Sequence, residues 1–227
     1  YYFSKKLTEV RSLDTPEFPV INLGIGSPDL APSKVVLEAL NASAQNANNH
    51  GYQNYKGVPP FRQAIAEFNK RVYGTNLNAE TDILPLMGSK EGIMHISVAF
   101  VNEGDEVLIP NPGYPTYSSV ANLVGAKLRS YDLKEESEWR IDIDALRKRD
   151  LSKVKLMWVN YPHMPTGTTA SIEDLKQLIA LAREHQFLIV NDNPYSLILN
   201  NTPFSILSLE GAGDVALELN SLSKSHN

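Results

Sequence analysis

From Pro59 onward the chain alternates amphipathic helical stripes with short apolar runs, and that alternation restricts the fold more than any other feature. Phe61, Ile65, Phe68 and Val72 recur at helical spacing behind Pro59-Pro60 and stop at Gly74. Gly88-Ser89 opens a second helix with Ile93, Ile96 and Phe100 on one face. Tyr117, Val120 and Val124 form a third stripe, closed by Gly125. Ser171, with Asp174 three residues on, caps a fourth that carries Leu175, Leu178, Ile179 and Ala182. Residues 83–87 look extended, and 106–109, 156–159, 187–190 and 215–219 read as short apolar strands. Apolar strands joined by amphipathic helices predict an α/β fold, a mostly parallel sheet covered by helices on both faces. In such sheets the chemistry collects at the carboxyl ends of the strands.

Residues 59–227 are therefore expected to form one large domain, and residues 1–58, read as loop-rich, an arm and part of a small domain. With 227 residues, 42% of them hydrophobic, the chain has enough material for one substantial core. The net charge of -5 implies no basic face, so nucleic acid is not an expected partner. There is no cysteine, hence no disulfide framework and no thiolate metal site, which suits the cytoplasm. The histidines show no metal-ligand spacing, and no apolar stretch approaches a membrane span. Tyr1-Tyr2-Phe3-Ser4-Lys5-Lys6 has neither the order of a signal peptide nor an initiator methionine. The chain stops three residues after Lys224, so further residues are expected beyond both ends.

The residues that carry chemistry stand where the strand reading puts them. Ser221-Leu222-Ser223-Lys224 follows the last apolar run, and Asp192-Asn193-Pro194-Tyr195 follows the run before it. A lysine amine, an aspartate and a tyrosine at strand ends are the parts needed to hold pyridoxal phosphate. The amine forms a Schiff base with the aldehyde, the carboxylate pairs with the pyridinium nitrogen, and the phenol reaches the ring's phenolic oxygen. Gly88-Ser89-Lys90-Glu91-Gly92 is read as lying between a strand and a helix, where unpaired N–H groups suit a phosphate. Taken alone it reads as an ordinary helix start. Asn111-Pro112-Gly113-Tyr114-Pro115-Thr116-Tyr117 and Asn160-Tyr161-Pro162-His163-Met164-Pro165-Thr166-Gly167 follow two further strands.

Together these segments resemble the fold-type I, class I/II aminotransferase family over nearly the whole chain. The resemblance implies an aspartate-aminotransferase-like large domain with pyridoxal 5′-phosphate as cofactor. It makes Lys224 the Schiff-base lysine, with Asp192 and Tyr195 as its catalytic companions. It also implies that Ser89, Lys90 and Ser221 hold the phosphate and that Tyr114 stacks on the pyridine ring. Asn22-Leu23-Gly24-Ile25-Gly26-Ser27-Pro28-Asp29 is similar to the loop that closes on the substrate carboxylate, which points to Ile25 and Gly26. Gly51-Tyr52-Gln53-Asn54-Tyr55-Lys56-Gly57 resembles the segment whose tyrosine reaches the partner subunit's phosphate. Tyr52 takes that place and implies a homodimer with shared sites.

At one position the chain departs from the pattern. Met164 stands where the family has an asparagine that bonds the ring's phenolic oxygen and the substrate carboxylate. A thioether is a weak acceptor. Asn160, His163 or Tyr195 is expected to compensate, with Asn160 and His163 favoured because an unmatched phenolate is costly once desolvated.

The implied activity is transfer of an amino group between an amino acid and a 2-oxo acid by a ping-pong mechanism. A carbon–sulfur lyase on the same fold is the enzyme alternative, since fold does not fix reaction. The non-enzyme alternative is the cofactor-binding sensor domain of a transcription regulator; such regulators carry an N-terminal winged-helix DNA-binding domain, and residues 1–58 show neither its helices nor a basic stripe, which disfavours it. The Gly-Ser-Lys-Glu-Gly turn is similar to that of the aspartate, alanine, methionine and LL-diaminopimelate aminotransferases.

Overall fold

In the computed structural model, residues 2–24 and 26–226 are described, Tyr2 and Phe3 by backbone alone. Five strands form one parallel sheet: β1 Glu106–Asn111, β2 Lys127–Asp132, β3 Val154–Val159, β4 Leu188–Asn193 and β5 Ala216–Asn220. Their order is β2-β1-β3-β4-β5. The path from β1 turns outward to β2, then returns past β1 to β3, β4 and β5. That reversal is a topological switch point, where the loops after β1 and β3 part and open a crevice at the strands' carboxyl ends.

Seven α-helices are described: α1 Tyr2–Leu13, α2 Lys34–Ala44, α3 Pro59–Tyr73, α4 Ser89–Phe100, α5 Pro115–Leu123, α6 Ile143–Arg147 and α7 Ile172–His185. Both faces of the sheet are buried, as a parallel sheet demands. Leu156, Trp158 and Val190 pack on one side with Ile93 of α4 and Tyr117 and Ala121 of α5. Met157, Val159 and Ile189 pack on the other with Leu146 of α6 and Leu175, Leu178 and Ile179 of α7. The alternation of 156 and 158 against 157 and 159 is the two-residue period of a strand resolved onto its two faces.

Local signals set the helix ends. Pro59 lies in the first turn of α3, where its missing N–H costs nothing, and Gly74 closes the helix at φ 71°. Ser171 caps α7, its side chain accepting from the Asp174 N–H. Gln186, not a glycine, closes α7 at φ 57°.

Three readings are corrected. Residues 83–87 join no strand; they pass alongside the sheet, and Leu86 packs against the α4–α5 side of the core. β2 was unanticipated, because Lys127-Leu128-Arg129-Ser130-Tyr131-Asp132 is an edge strand, half exposed, with no apolar run to betray it. Residues 1–58 contain α1 and α2, two helices not marked in the sequence reading, and are otherwise mostly loop. No described side chain in residues 4–58 is buried. Among the described residues no helix is long and apolar enough to cross a membrane.

Candidate active site

At the carboxyl ends of the strands lies a cleft of about 260 Å³, walled by five segments. The start of α4 supplies Gly88, Ser89 and Lys90, the loop and helix after β1 supply Tyr114 and Tyr117, and the loop after β3 supplies Asn160 and Met164. Asp192, Pro194 and Tyr195 come from the end of β4, and Ser221, Ser223 and Lys224 from the segment after β5. Eight of the residues singled out by sequence are thus brought together: Ser89, Lys90, Tyr114, Asn160, Asp192, Tyr195, Ser221 and Lys224.

Each wall has a local cause. Gly88 enters α4 at φ 115° and ψ 145°, a conformation side chains resist. The Met87 N–H is caught by Glu91 Oε2 at 2.9 Å, which fixes the approach of the chain. Ser89 and Lys90 then fall in the first turn, where backbone N–H groups have no helical partner. Tyr114 precedes α5 because Gly113 lets the turn fold onto itself; a Cβ there would sit 2.5 Å from the Pro110 carbonyl oxygen. Gly113→Ala is therefore expected to cost about 1–3 kcal/mol and displace Tyr114. Unchanged thermal unfolding together with an unchanged Tyr114 ring in the variant's structure would contradict this.

The deepest group is Asp192, 4% exposed. Its Oδ2 accepts a 2.8 Å hydrogen bond from the Tyr117 hydroxyl, while its buried Oδ1 has no donor. Burial pushes its carboxyl up to about 6, opposed by the Tyr117 bond. Burial likewise raises Tyr195, with further upward pressure from Asp192 and Tyr114. Tyr117 is itself raised well above its ordinary value by burial, then by Asp192. Lys90 Nζ lies 6.0 Å from the centre of the Tyr114 ring.

Lys224 Nζ donates to the Gly26 carbonyl at 2.7 Å. The loop after residue 22 is thus carried to the cleft across 198 residues of sequence. Ile25 lies outside the described residues. Tyr52 is fully exposed and does not line the cleft.

Of the three residues expected to compensate for Met164, Asn160 and Tyr195 line the cleft and His163 does not. Asn160 lines the cleft with its amide held on backbone: one Nδ2 hydrogen donates to the Asp192 carbonyl at 2.6 Å, and Oδ1 accepts from the Met164 N–H at 2.9 Å, which leaves the second Nδ2 hydrogen. His163 is buried and turned to the loops, with Nδ1 2.8 Å from Thr166 Oγ1 and Nε2 3.1 Å from the Pro112 carbonyl. Burial lowers its pKa, so it stays neutral. Met164 lines the cleft beside Asn160, the one polar side chain that its loop contributes there among the described residues. Sequence reading also missed Ser223 as a wall residue and Tyr117 as the partner of Asp192. Two residues past Ser221, Ser223 was within reach of the same strand-end argument; nothing local marks Tyr117.

The donor set fits pyridoxal phosphate. An unpartnered buried carboxylate oxygen suits a pyridinium N–H, an aromatic ring suits the ring face, and serines with a helix start suit a phosphate. A parallel sheet with such a cleft at its switch point defines a pyridoxal-phosphate-binding large domain. The chain belongs to the class I and II aminotransferase family, whose model matches residues 19–227 and whose cofactor is pyridoxal 5′-phosphate. It is 41% identical over 210 residues to the LL-diaminopimelate aminotransferase of Aquifex aeolicus, covering 92% of this chain and 54% of that protein. Among solved structures it is similar to substrate-bound BacF from Bacillus subtilis, with 36% identity, a TM-score of 0.90, and coverage of 100% of this chain and 57% of that one. The alanine aminotransferase of Pyrococcus furiosus matches at 30% identity and a TM-score of 0.88, over 98% and 57% of the two chains. The chain spans about half the length of the curated relatives it matches.

Proposed function

We propose that this chain is the cofactor-binding part of an aminotransferase that moves an amino group between an amino acid and a 2-oxo acid in two ping-pong halves. The observation that carries the reading is the buried Oδ1 of Asp192, donorless and set in the same cleft as Lys224. When bound, pyridoxal phosphate supplies an electron sink for the charge left at the substrate Cα after proton removal. Asp192 holds the ring nitrogen and keeps it protonated. Lys224 would hold the cofactor aldehyde, and its free amine would remove and return the proton at the substrate Cα. Its bond to the Gly26 carbonyl keeps that amine beside the loop assigned to the substrate carboxylate. Ser89, Lys90, Ser221 and Ser223 receive the phosphate, Tyr114 shields one ring face from water, and Tyr195 donates to the phenolic oxygen. Asn160 acts on the frame, tying the Asp192 carbonyl to the Met164 N–H.

Tyr52, exposed away from the cleft, is assigned to the phosphate of a second copy in a homodimer. The location assigned is the cytoplasm. LL-diaminopimelate is the first amino donor to test, because the named relatives are LL-diaminopimelate aminotransferases. The test uses the full-length protein with pyridoxal phosphate, a panel of amino acids and a panel of 2-oxo acids. Transfer of the amino group to a 2-oxo acid is the expected outcome. Release of ammonia and a 2-oxo acid without an acceptor would instead assign a lyase. A protein that binds the cofactor and turns nothing over would assign a sensor.

With His163 facing Thr166 and Pro112, Tyr195 and the second Nδ2 hydrogen of Asn160 are the donors assigned to the phenolic oxygen, and position 164 supplies none. Met164→Asn is therefore expected to add a hydrogen bond and move the pH dependence of the bound cofactor's visible band. An unmoved band would mean that residue 164 does not reach the phenolic oxygen.

A further inference from the structure

Asp192 is gripped asymmetrically. Its Oδ2 is bonded to Tyr117, its Oδ1 has no protein donor, and its backbone carbonyl is fixed by Asn160. Tyr117 is in turn immobilised. Its ring lies parallel to Trp158, 5.0 Å between centroids and 6° between planes, and meets Tyr114 edge-on at 5.6 Å. It is 1% exposed, and Trp158 is fully buried. The Trp158 carbonyl accepts from the buried Tyr131 hydroxyl at 2.7 Å, which pins the strand beneath the stack. A tyrosine so placed has little freedom to swing its hydroxyl away from Asp192.

Core packing alone does not account for this residue. A phenylalanine would fill the same volume and stack equally well on Trp158. The hydroxyl adds only one thing that the structure displays, a hydrogen bond to the deepest acid of the cleft. The other ionisable groups around Asp192 offer no alternative. Tyr195 and Tyr114 both stand close by, and neither hydrogen-bonds to it. Lys90 from α4 and Lys224 from the segment after β5 line the same cleft, but Lys90 lies over the Tyr114 ring and Lys224 donates to the Gly26 carbonyl. The loop after β3 brings only the Asn160 amide and the Met164 thioether, since His163 faces Pro112 and Thr166.

We propose that Tyr117 is a positioning residue for Asp192: its hydroxyl fixes Oδ2, presents Oδ1 as the acceptor for the cofactor nitrogen, and keeps the carboxylate charged through the neutral range. A hydrogen bond to the charged form favours that form. Here it opposes the burial that drives the carboxyl the other way. Without it, burial acts unopposed and Asp192 holds its proton to higher pH. Pairing places one proton between carboxylate and ring nitrogen, so a protonated Asp192 must lose its proton before a protonated pyridine nitrogen pairs with it. Tyr117 thus sets the acid limit of cofactor binding. The proposal rests on Asp192 being the partner of the cofactor nitrogen.

The test compares wild type and Tyr117→Phe in the full-length protein. In the cofactor-free state, the Asp192 carboxyl is titrated by carbon-13 NMR. Removal of the hydroxyl is expected to raise its proton affinity about tenfold or more, the size of one hydrogen bond to a charged group. Equilibrium binding of pyridoxal phosphate is then measured across pH. The acid limb is expected to move up by about one pH unit, with affinity unchanged on the alkaline side. A purely structural role for Tyr117 would lower the melting temperature and leave both midpoints in place, and that result overturns the proposal. If Tyr117→Phe does not fold, Tyr117→3-fluorotyrosine, a stronger donor of nearly the same shape, must move the Asp192 midpoint down; an unmoved midpoint overturns the proposal equally. A wild-type protein that fails to bind pyridoxal phosphate at any pH would sink the functional reading instead, while the cofactor-free titration still decides the role of Tyr117.

Discussion

Asp192→Asn is expected to make the cofactor-free protein more stable at pH 8 and the loaded enzyme at least about a hundredfold slower. The stability gain follows from the sign of the pKa shift. In the unfolded chain the carboxyl titrates near 3.8; in the fold, burial raises it to about 6. Below the lower value both states hold the proton, and Asp192 contributes nothing. Between the two values the unfolded state releases its proton while the folded state keeps it, so stability falls as pH rises. Above about 6 the cost is constant, roughly 3 kcal/mol for a shift of about two pH units. Asparagine cannot ionise, so the variant escapes that cost above pH 6 and gains nothing below pH 4. Thermal unfolding of both cofactor-free proteins at pH 4 and pH 8 checks it, with a rise of several degrees expected only at pH 8. The rate falls for the opposite reason, because an amide cannot keep the ring nitrogen protonated. A variant that turned over at a near wild-type rate would remove Asp192 from the role of pyridinium partner. A buried acid with one oxygen left without a donor is thus a stability sacrifice held in place for function.

Lys224→Ala is expected to lose turnover by at least about ten-thousandfold, since one amine both holds the cofactor aldehyde and moves the Cα proton. Stability should hardly change. Lys224 is only half buried, and its one recorded bond is to the Gly26 carbonyl. Borohydride treatment of the wild type with pyridoxal phosphate, followed by peptide mapping, is expected to leave the pyridoxyl mass on the peptide carrying Lys224. Lys90 is the sharp control, because it lines the same cleft. A label on Lys90 with none on Lys224 would reverse the assignment of the two lysines.

The sequence by itself determined the elements whose signals are local. Phe61 through Val72 declared a helix by period, and Ser171 with Asp174 declared where α7 starts. The runs at 156–159 and 187–190 declared buried strands because both faces of β3 and β4 are covered by helices. Once those strands were placed, Asp192, Tyr195 and Lys224 fell at strand ends without further help, and the fold's own logic gathers strand ends. β2 stayed hidden for the complementary reason: an edge strand buries too little to need an apolar run.

Tertiary structure alone decided which way the loop side chains face. Asn160, His163 and Met164 are near neighbours in sequence, and composition favoured the two polar ones as cleft residues. Their directions are set by distant acceptors, the Asp192 carbonyl 32 residues on and the Pro112 carbonyl 51 residues back. Tyr117 read as one more apolar position on a helix face because its hydroxyl partner is 75 residues away. The Gly26 carbonyl meets Lys224 across 198 residues. Periodicity and capping act within a turn or two of chain, so they specify elements. Hydrogen bonds between loops depend on how those elements pack, so no local pattern in the sequence can announce them.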